Sequence, residues 1–485
     1  MRLAELAAAC GTSLRGADHP VTGITHVAQR VVPGWMFAAL PGVRHHGLEF
    51  AAQALERGAV AILSDREPPA GVTWLATSAP RAAMACAAWS LAGHPERRLR
   101  MVGITGTNGK STVADLLARI ARAAGVPCGV FGTLAYTLPG RTERAGRTTP
   151  EATDLAPLLA ELETAGGVVA VMEVSSHALA LDRVAGLEFD VGVWTNLTRD
   201  HLDFHRDLEA YFAAKGKLGD LLRRDPPGRR AIGIDDPFMA RLATPARPGD
   251  LTFGLSPESQ VGASELAADL EGTSFRLCTP AGEAKVRLPL VGRHNLRNAL
   301  AAAAAATALG WDCRAIVRGL EGAAPLPGRL EPVAAESRFP VFVDYAHTPD
   351  ALEQVLTALR EVEQRRFLVV FGCGGDRDPG KRAPMGEVVG RLADVPIVTS
   401  DNPRSEEPQA IIASVMEGVR ASGNPRALAI PDRREAIAAA LSMADDRCLV
   451  LVAGKGHETE QVFADRVVAF DDRAVIRELL HRRGA

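Results

Sequence analysis

The sequence is poor in features that mark secreted, membrane or metal-binding proteins. Its seven cysteines include no C-x-x-C pair, so we expect isolated reduced thiols and neither disulfides nor a zinc site. The first residues, Met1 to Glu5, include an acid where a secretory signal would carry cations. No uncharged run approaches the length needed to cross a bilayer. These absences predict a cytoplasmic protein without a membrane span.

The chain also lacks a strong charge of either sign. A formal net charge of -3 and a hydrophobic fraction of 47% give no indication of a nucleic-acid or membrane surface. We therefore expect small-molecule partners and a monomer. A length of 485 residues exceeds what one core usually supports, which predicts two or three domains.

Lysine is scarce, with only six among 55 cationic side chains. Arginine has taken most surface positions, so a retained lysine can mark a site that needs a compact amine able to lose its proton. We interpret Lys217 and Lys285 as ordinary surface residues. The other four lie in sequence motifs: Lys110, Lys215, Lys381 and Lys455.

A glycine-rich loop follows the apolar run Met101 to Thr105 and leads into a predicted helix, Val113 to Ala124. The order of strand, loop and helix disfavours a chance glycine turn, although Gly103 lies one residue too far from Gly109 for the general form of the phosphate-binding loop. Backbone N–H groups at such a helix start bind phosphate, while lysine reaches the β- and γ-phosphates and a hydroxyl turns to magnesium. The residues are Gly106, Thr107, Asn108, Gly109, Lys110, Ser111 and Thr112.

Three α/β domains are predicted along the chain. Residues 1–98 form a small α/β unit, and residues 99–326 alternate short strands with helices, which predicts a doubly wound parallel sheet. The Ala-rich helix 296–309 precedes a Pro-Gly linker. Residues 327–485 repeat the alternation as a Rossmann-like domain.

Polar clusters end two predicted central strands, and ligands bind at such ends. Glu173 follows strand 168–172, and His201 lies in the polar segment after strand 191–195. A carboxylate and an imidazole suit magnesium or manganese that also binds phosphate oxygens. His201 alone would be read as a packed or capping residue, but the nearby phosphate loop and Glu173 favour a metal ligand.

The motifs resemble the Mur ligases of peptidoglycan synthesis, which add amino acids to a UDP-N-acetylmuramoyl peptide. The combination of DYAHTPDAL, GCGGDRD and DNPR is similar to that of the member that adds the third residue. In that family the three domains bind the UDP-sugar, ATP and the incoming amino acid in chain order. The resemblance covers most of residues 101–458 through GTNGKST, EVSSHAL, TNLTRDHLDFH, YFAAK, GRHNLRNALAA, PGRLE, DYAHTPDAL, FGCGGDRDPGKR, DNPRSEEP and AGKGHE.

The resemblance implies that ATP phosphorylates the side-chain carboxyl of D-glutamate and that an amine then attacks the acyl phosphate. It assigns the phosphate cradle to the loop and two magnesium ions to Ser111, Glu173, His201 and Lys215, the last carrying a carbamate formed with carbon dioxide. Because some ATP-binding residues belong to the third domain, we expect domain closure to complete the site. The further ATP-binding residues implied are Asn295, Asn298, Arg329, Asp344 and His347.

For the acceptor, UDP-N-acetylmuramoyl-L-alanyl-D-glutamate, the matching positions are Thr148, Thr149, Ser175 and Arg183. Two departures are present. Residues 27–29 read Val-Ala-Gln where the family has Asp-Ser-Arg, so we expect a different grip on uridine, and Leu181 replaces a glutamine of some members.

For the incoming amino acid, an arginine fork pairs bidentately with a carboxylate, so Arg404 suits the extra carboxylate of meso-diaminopimelate. Glu458 would receive the distal ammonium. Lysine or ornithine stays open as the alternative, although either would leave Arg404 unpaired. The residues implied are Lys381, Arg382, Asp401, Asn402, Arg404, Gly454 and Glu458.

Two other functions are alternatives to that of a Mur ligase. Folylpolyglutamate synthase shares the fold but lacks the DNPR and DYAHTPDAL pair. A nucleotide-driven switch would need neither Lys215 nor a third domain with Arg404 and Glu458, and it would release phosphate from ATP without acceptor or amino acid.

Overall fold

The computed structural model describes residues 1–42, 45–280, 282–333 and 337–482, and within them the strands form five sheets. The first sheet has the order β1-β5-β4-β3-β2, parallel except for β1 at the edge. The elements are α1 Leu3–Ala9, β1 Ser13–Arg15, β2 Gly23–Thr25, β3 Trp35–Ala38, α2 Ala51–Glu56, β4 Ala61–Ser64, β5 Trp74–Ala76 and α3 Pro80–Leu91.

The second sheet has eight strands in the order β13-β12-β11-β6-β10-β7-β8-β9, with β6 in the middle. It is parallel from β13 to β7 and ends in the antiparallel strands β8 and β9. Its elements are β6 Arg100–Thr105, α4 Lys110–Ala123, β7 Cys128–Phe131, β8 Ala135–Leu138, β9 Arg141–Arg144, α5 Ala152–Thr164, β10 Val169–Glu173, α6 Ser176–Ala180, β11 Val191–Trp194, α7 Leu202–His205, α8 Leu208–Gly216, β12 Arg229–Gly233, α9 Pro237–Ala240 and β13 Leu251–Phe253.

Both faces of this second sheet are buried. Met101 of β6 packs into the same core as Leu155 of α5, whereas Val102 and Ile104 pack with residues of α4 on the other face. Successive side chains of a strand point to opposite faces, so helices are needed on both sides. The predicted doubly wound α/β fold is confirmed.

A third, antiparallel sheet interrupts the α/β alternation that the sequence predicted up to residue 326. Tight turns explain it: Asp269 Oδ1 accepts the Gly272 N–H at 3.0 Å, and Gly272 has a φ of 147°. The outer strand is largely exposed, while the middle strand buries Phe275 and Leu277. The elements are β14 Gly262–Asp269, β15 Gly272–Thr279, β16 Gly282–Leu288, α10 Arg293–Ala308 and α11 Cys313–Glu321.

The fourth sheet has the order β17-β18-β22-β19-β20-β21 and is parallel except for β17. Helices α12 to α14 pack on one face, and α15 and α16 pack on the other. The last two strands form a separate hairpin. The elements are β17 Glu331–Pro332, β18 Val341–Asp344, α12 Pro349–Val362, β19 Arg366–Phe371, α13 Arg382–Leu392, β20 Val395–Val398, α14 Pro408–Ala421, β21 Leu428–Ala429, α15 Arg433–Met443, β22 Cys448–Ala453, β23 Glu460–Val462, β24 Val467–Ala469 and α16 Asp472–Arg482.

None of the helices in the described part of the chain has both the length and the apolar composition needed to cross a membrane.

Candidate active site

The predicted phosphate loop connects β6 to α4. Gly109 precedes the helix with a φ of 89°, and a Cβ there would lie 2.2 Å from Asn298 Oδ1, so only glycine fits. Lys110 Nζ folds back over the loop and donates hydrogen bonds to the carbonyls of Gly106 and Thr107, both at 2.9 Å. Burial lowers the pKa of Lys110, and the nearby Glu173 opposes that shift.

Glu173 ends β10 beside this loop and is 2% exposed. Its Oε1 accepts the Thr133 N–H at 2.8 Å, and its Oε2 accepts the Thr133 hydroxyl at 3.1 Å. Thr133 is a residue that the sequence did not single out, because nothing local links it to a strand end 40 residues away. Its two hydrogen bonds hold the carboxylate in one orientation.

A cluster of aromatic side chains surrounds His201, which has a φ of 55° at the start of α7. Its ring centroid lies 4.8 Å from that of His177 and 6.2 Å from that of Tyr211. Partial burial lowers the pKa of His201 to about 3, although its neighbour Asp200 opposes the shift. The imidazole is therefore neutral near pH 7, and a ring nitrogen is free to bind a metal.

Lys215 lies at the end of α8 and is 1% exposed. Its Nζ stands 4.3 Å from the centroid of the Tyr211 ring, and no described residue accepts a hydrogen bond from it. Burial holds the pKa of Lys215 well below its ordinary value, Lys110 lowers it further, and Asp200 opposes both.

The residues predicted to hold ATP meet around one small cavity of about 80 Å³ between the second and fourth sheets. Arg329 lies over the Tyr345 ring at 4.7 Å, and Asp344 accepts the N–H groups of Leu330 and Ala346 at 2.6 and 2.7 Å. Burial raises the pKa of Asp344. The lining brings together the predicted residues Asn108, Gly109, Ser111, Thr112, Asn295, Asn298, Arg329, Asp344 and His347.

Two contacts between the central and C-terminal parts were missed by the sequence reading. Asn108 Nδ2 of the phosphate loop donates to Asp350 Oδ2 at 3.0 Å, and Arg199 Nε pairs with Asp378 Oδ2 at 3.1 Å. These partners are far apart in the chain, so no local spacing could have paired them.

The predicted acceptor residues lie near the end of β10. The Thr149 hydroxyl donates to Glu173 O at 2.9 Å and lies 3.2 Å from the Ser175 hydroxyl, which caps α6. Arg183 Nε is 3.1 Å from the buried Glu151, and Arg81 of the first unit reaches the same carboxylate at 2.5 Å. The Thr148 and Thr133 hydroxyls are 3.0 Å apart. Arg81 is a further residue that the sequence did not reveal.

Residues 401–404 form a turn in which Arg404 has a φ of 54°. Its Nη1 donates to Gly375 O at 2.6 Å. Asn402 Nδ2 donates to Glu458 Oε2 at 2.7 Å, so two loops predicted to bind the amino acid are joined.

The other residues predicted to bind the incoming amino acid are buried close to these two loops. A Cβ at Gly454 would lie 2.6 Å from Asp401 Oδ2, so these two residues pack closely. Arg382 is paired with Glu406 at 2.8 Å, and Lys381 is buried.

One large cavity of about 880 Å³ lies between the residues near the phosphate loop and those of the Arg404 turn. Ser111, Thr133 and Glu173 line one side, and Asn402, Arg404 and Glu458 line the other. Its size is within the range of ligand sites. A molecule in this cavity touches the phosphate loop and the Arg404 turn together.

Three family models match the chain: one described as "Mur ligase middle domain" over residues 104–306, one as "Mur ligase, glutamate ligase domain" over residues 328–456, and one as "Mur ligase family, catalytic domain" over residues 20–92.

Relatives named UDP-N-acetylmuramoyl-L-alanyl-D-glutamate–2,6-diaminopimelate ligase match nearly the whole chain. The protein of Solibacter usitatus is 43% identical over 96% of this chain and 95% of its own. That of Geobacter metallireducens is 43% identical over 99% of each. A solved structure with the same name is 34% identical, covers 96% of both chains and has a TM-score of 0.66.

A more distant structure, MurF ligase from Thermotoga maritima in complex with ADP, is 18% identical with a TM-score of 0.66 and covers 95% of this chain and 97% of its own. At that identity the likeness concerns the fold alone.

Proposed function

The chain belongs to the Mur ligase family, and from this premise we propose that it is an ATP-dependent ligase of peptidoglycan synthesis. It adds meso-2,6-diaminopimelate to UDP-N-acetylmuramoyl-L-alanyl-D-glutamate. The observation that carries the proposal is the 880 Å³ cavity, because it faces the phosphate loop on one side and the Arg404 turn on the other. The names of the relatives support the same reaction.

The three parts of the chain take the three substrates in order. Residues 1–98 bind the UDP-sugar, residues 99–326 bind ATP, and residues 327–485 bind the amino acid. Arg81 and Arg183 supply positive charge where the first two parts meet, and both are paired with Glu151. Three hydroxyls near the end of β10 suit the peptide end of the acceptor, namely those of Thr148, Thr149 and Ser175.

ATP binds with its phosphates on the loop from Gly106 to Thr112 and with its nucleoside toward Asn295, Asn298 and Arg329. The cavity of about 80 Å³ at those residues is smaller than the usual ligand pocket of roughly 300 Å³ or more. The central and C-terminal parts therefore move apart to admit ATP, and the Asn108–Asp350 and Arg199–Asp378 contacts re-form on closure.

The donors near the loop fit magnesium. In the described ranges no three His, Cys, Asp or Glu side chains stand close enough to hold a metal alone. Glu173, the neutral His201 and the Ser111 hydroxyl would share the ion with phosphate oxygens and water, which is how Mg²⁺ is commonly held. The bound ion supplies positive charge against the phosphates.

Lys215 fits the carbamate that the family resemblance implies. Burial and the nearby Lys110 lower the pKa of this unpaired amine, which favours the neutral form that adds to carbon dioxide, and the product is a carbamate anion plus one released proton. Lys110 and His201 are neighbours of Lys215, so the carbamate oxygens would be placed to supply a ligand for a second magnesium ion. An ammonium at this position would instead repel the ion.

In the reaction, a side-chain carboxylate oxygen of D-glutamate attacks the γ-phosphorus of ATP, and ADP leaves. The amine of diaminopimelate then attacks the acyl carbon, phosphate leaves, and the amine loses a proton to form the amide. Lys110 places positive charge beside the transferring phosphoryl group, as in phosphoryl transfer generally. Closure of the central and C-terminal parts around the substrates keeps water from the acyl phosphate.

The preference for diaminopimelate rests on Arg404 and Glu458, which line the same side of the cavity. Only Nη1 of Arg404 is committed to a backbone carbonyl, so the remaining donors suit a carboxylate. Lysine and ornithine lack that carboxylate and would leave the guanidinium unpaired.

The test is a product assay. The purified protein receives ATP and UDP-N-acetylmuramoyl-L-alanyl-D-glutamate with diaminopimelate, lysine or ornithine, and the product is weighed. We expect the diaminopimelate product alone at comparable concentrations, with no product when ATP is omitted. Arg404→Ala should lower kcat/KM for diaminopimelate by about 100-fold, as expected for loss of a charged pair. An unchanged preference in that variant contradicts the assignment of Arg404.

A further inference from the structure

We propose that Lys455 is a specificity-determining positioning residue, which makes the Arg404 side of the cavity favour an amino acid whose far end carries both a carboxylate and an ammonium. The inference rests on the proposed function for the identity of the substrate. It concerns a residue behind the cavity, because Lys455 itself is 0% exposed and does not line it.

The ammonium of Lys455 has one acceptor for each of its three donors. Nζ lies 3.0 Å from Asn402 Oδ1, 3.0 Å from Glu458 Oε2 and 2.6 Å from Glu460 O. A lysine ammonium has three donors, so its hydrogen bonding is complete. Lys455 thus ties together the turn that carries Asn402, the loop that carries Glu458 and the start of β23.

The same contacts orient Glu458 toward the cavity. Its Oε2 accepts from both Asn402 Nδ2, at 2.7 Å, and Lys455 Nζ. The side chain remains 30% exposed, so Oε1 is the oxygen available to a bound amino acid. With Lys455 and Asn402 fixed, Glu458 presents this oxygen on the same surface as Arg404.

The charges explain the selectivity. Arg404 and Lys455 contribute two positive charges and Glu458 one negative charge, so the group has a net charge of plus one. A far end with a carboxylate and an ammonium brings no net charge and satisfies Arg404 and Glu458 separately. A bare ammonium, as in L-lysine, adds a second net positive charge and leaves Arg404 without an anion.

Of the other charged groups at this end of the cavity, Arg144 and Arg473 are paired with carboxylates, whereas Asp376 accepts from the Ser405 hydroxyl and Asp401 accepts from the Asn402 N–H. Arg144 Nη1 lies 4.0 Å from Glu460 Oε1, and Arg473 is bound to Asp471 at 2.6 Å. The Arg144 and Arg473 pairs bring no net charge to Arg404, Glu458 and Lys455.

The experiment compares kcat/KM for diaminopimelate and L-lysine, with ATP and acceptor saturating, in four proteins. Lys455→Gln keeps donors for Asn402 and Glu460 but removes the charge. We expect the ratio of diaminopimelate to lysine to fall about 10-fold, through KM and with kcat nearly unchanged. Lys455→Arg keeps the charge and should retain most of the ratio. Lys285→Met, on the exposed strand β16, is the matched control and should leave the ratio unchanged.

Glu458→Gln tests the pair without altering Lys455. The ammonium then has no counter-ion, so the lysine reaction should fall about 10-fold further than the diaminopimelate reaction. The ratio therefore moves in opposite directions in Lys455→Gln and Glu458→Gln. If Lys455→Gln does not fold, as judged by its thermal unfolding, the Glu458 variant decides the question.

The inference is overturned if the two amino acids lose kcat/KM equally in the folded variants, because a purely structural Lys455 would act on both alike. If the unmodified chain instead prefers L-lysine, the proposed substrate and this inference both fail. A ratio of diaminopimelate to lysine that is unchanged in Lys455→Gln removes this inference and leaves the proposed function intact.

Discussion

Two regions of this molecule each bury a lysine almost completely, but they differ in the hydrogen-bond acceptors that they offer to it. Lys455, in the C-terminal part, donates to three acceptors, one of them the carboxylate of Glu458. Lys215, in the central part, faces the ring of Tyr211 and has no acceptor among the described residues. Burial is nearly equal, at 0% and 1% exposure, so partners and not depth make the difference.

The difference in hydrogen-bond acceptors indicates that the two lysines have different roles. An ammonium with three acceptors is a fixed cation that organises its neighbours. Burial and the nearby Lys110 lower the pKa of Lys215 well below its ordinary value, because both penalise the charged form of an amine without acceptors. A neutral amine can react, whereas a fixed cation can only position other groups. Three differences between the two lysines can be measured.

The largest expected effect is on turnover. Lys215→Ala should lower kcat by about 1000-fold, because it removes the carbamate that would hold a magnesium ion against the phosphates. Removing carbon dioxide from the buffer should lower the activity of the unmodified protein, and bicarbonate should restore it. Lys217→Ala, at the exposed lysine two residues on, serves as the control.

An intact-mass measurement accompanies that assay. The unmodified protein should carry one added carbon dioxide that Lys215→Ala lacks. Activity indifferent to carbon dioxide, with no added mass, would rule out the carbamate and leave Lys215 a merely buried amine.

The second effect is on stability. Lys455→Met should lower the free energy of unfolding by about 3 kcal/mol, because it removes the ammonium that neutralises Glu458 and donates to two other acceptors. Chemical denaturation at pH 7 measures the difference, with Lys285→Met expected to change little. A loss no greater than that of the control would mean that the three contacts of Lys455 contribute nothing to folding.

The smallest effect has the opposite sign. Lys215→Met should raise the free energy of unfolding in buffer free of carbon dioxide, by about 1.4 kcal/mol for each unit by which the pKa is lowered. Because the folded-state pKa is below the unfolded one, the unfolded chain binds one more proton between the two values, and the stability of the unmodified protein rises with pH.

The gap between the two proteins should accordingly shrink as the pH rises toward the pKa of a free lysine. Chemical denaturation at several pH values measures it. A gap that stays constant with pH would show that Lys215 keeps its proton in the folded protein.

Local patterns predicted the elements well where an apolar strand ends in a polar cluster. The loop after β6, Glu173 at the end of β10 and the segment around His201 were found from the sequence because parallel strands gather their ends at one edge. The antiparallel sheet β14 to β16 was missed, since its outer strand is mostly exposed and shows no clear alternation of buried positions.

The candidate site was predicted less completely, because many of its contacts join distant residues. Local spacing in the sequence gives no sign of three of these contacts: Thr133 with Glu173, Asp350 with Asn108, and Arg81 close to Arg183. Lys455 was singled out as a retained lysine, but its contacts with Asn402, Glu458 and Glu460 were not predicted.

By itself the sequence determined the phosphate loop, the α/β alternation and the chemical types of the side chains at the strand ends, because these depend on neighbours a few residues apart. Only the tertiary structure decided which of those side chains face one another across the 880 Å³ cavity. It also decided which buried lysine has acceptors. The physical reason is that the charge state of a buried group depends on atoms within a few ångströms in space, and folding brings those atoms from distant parts of the chain.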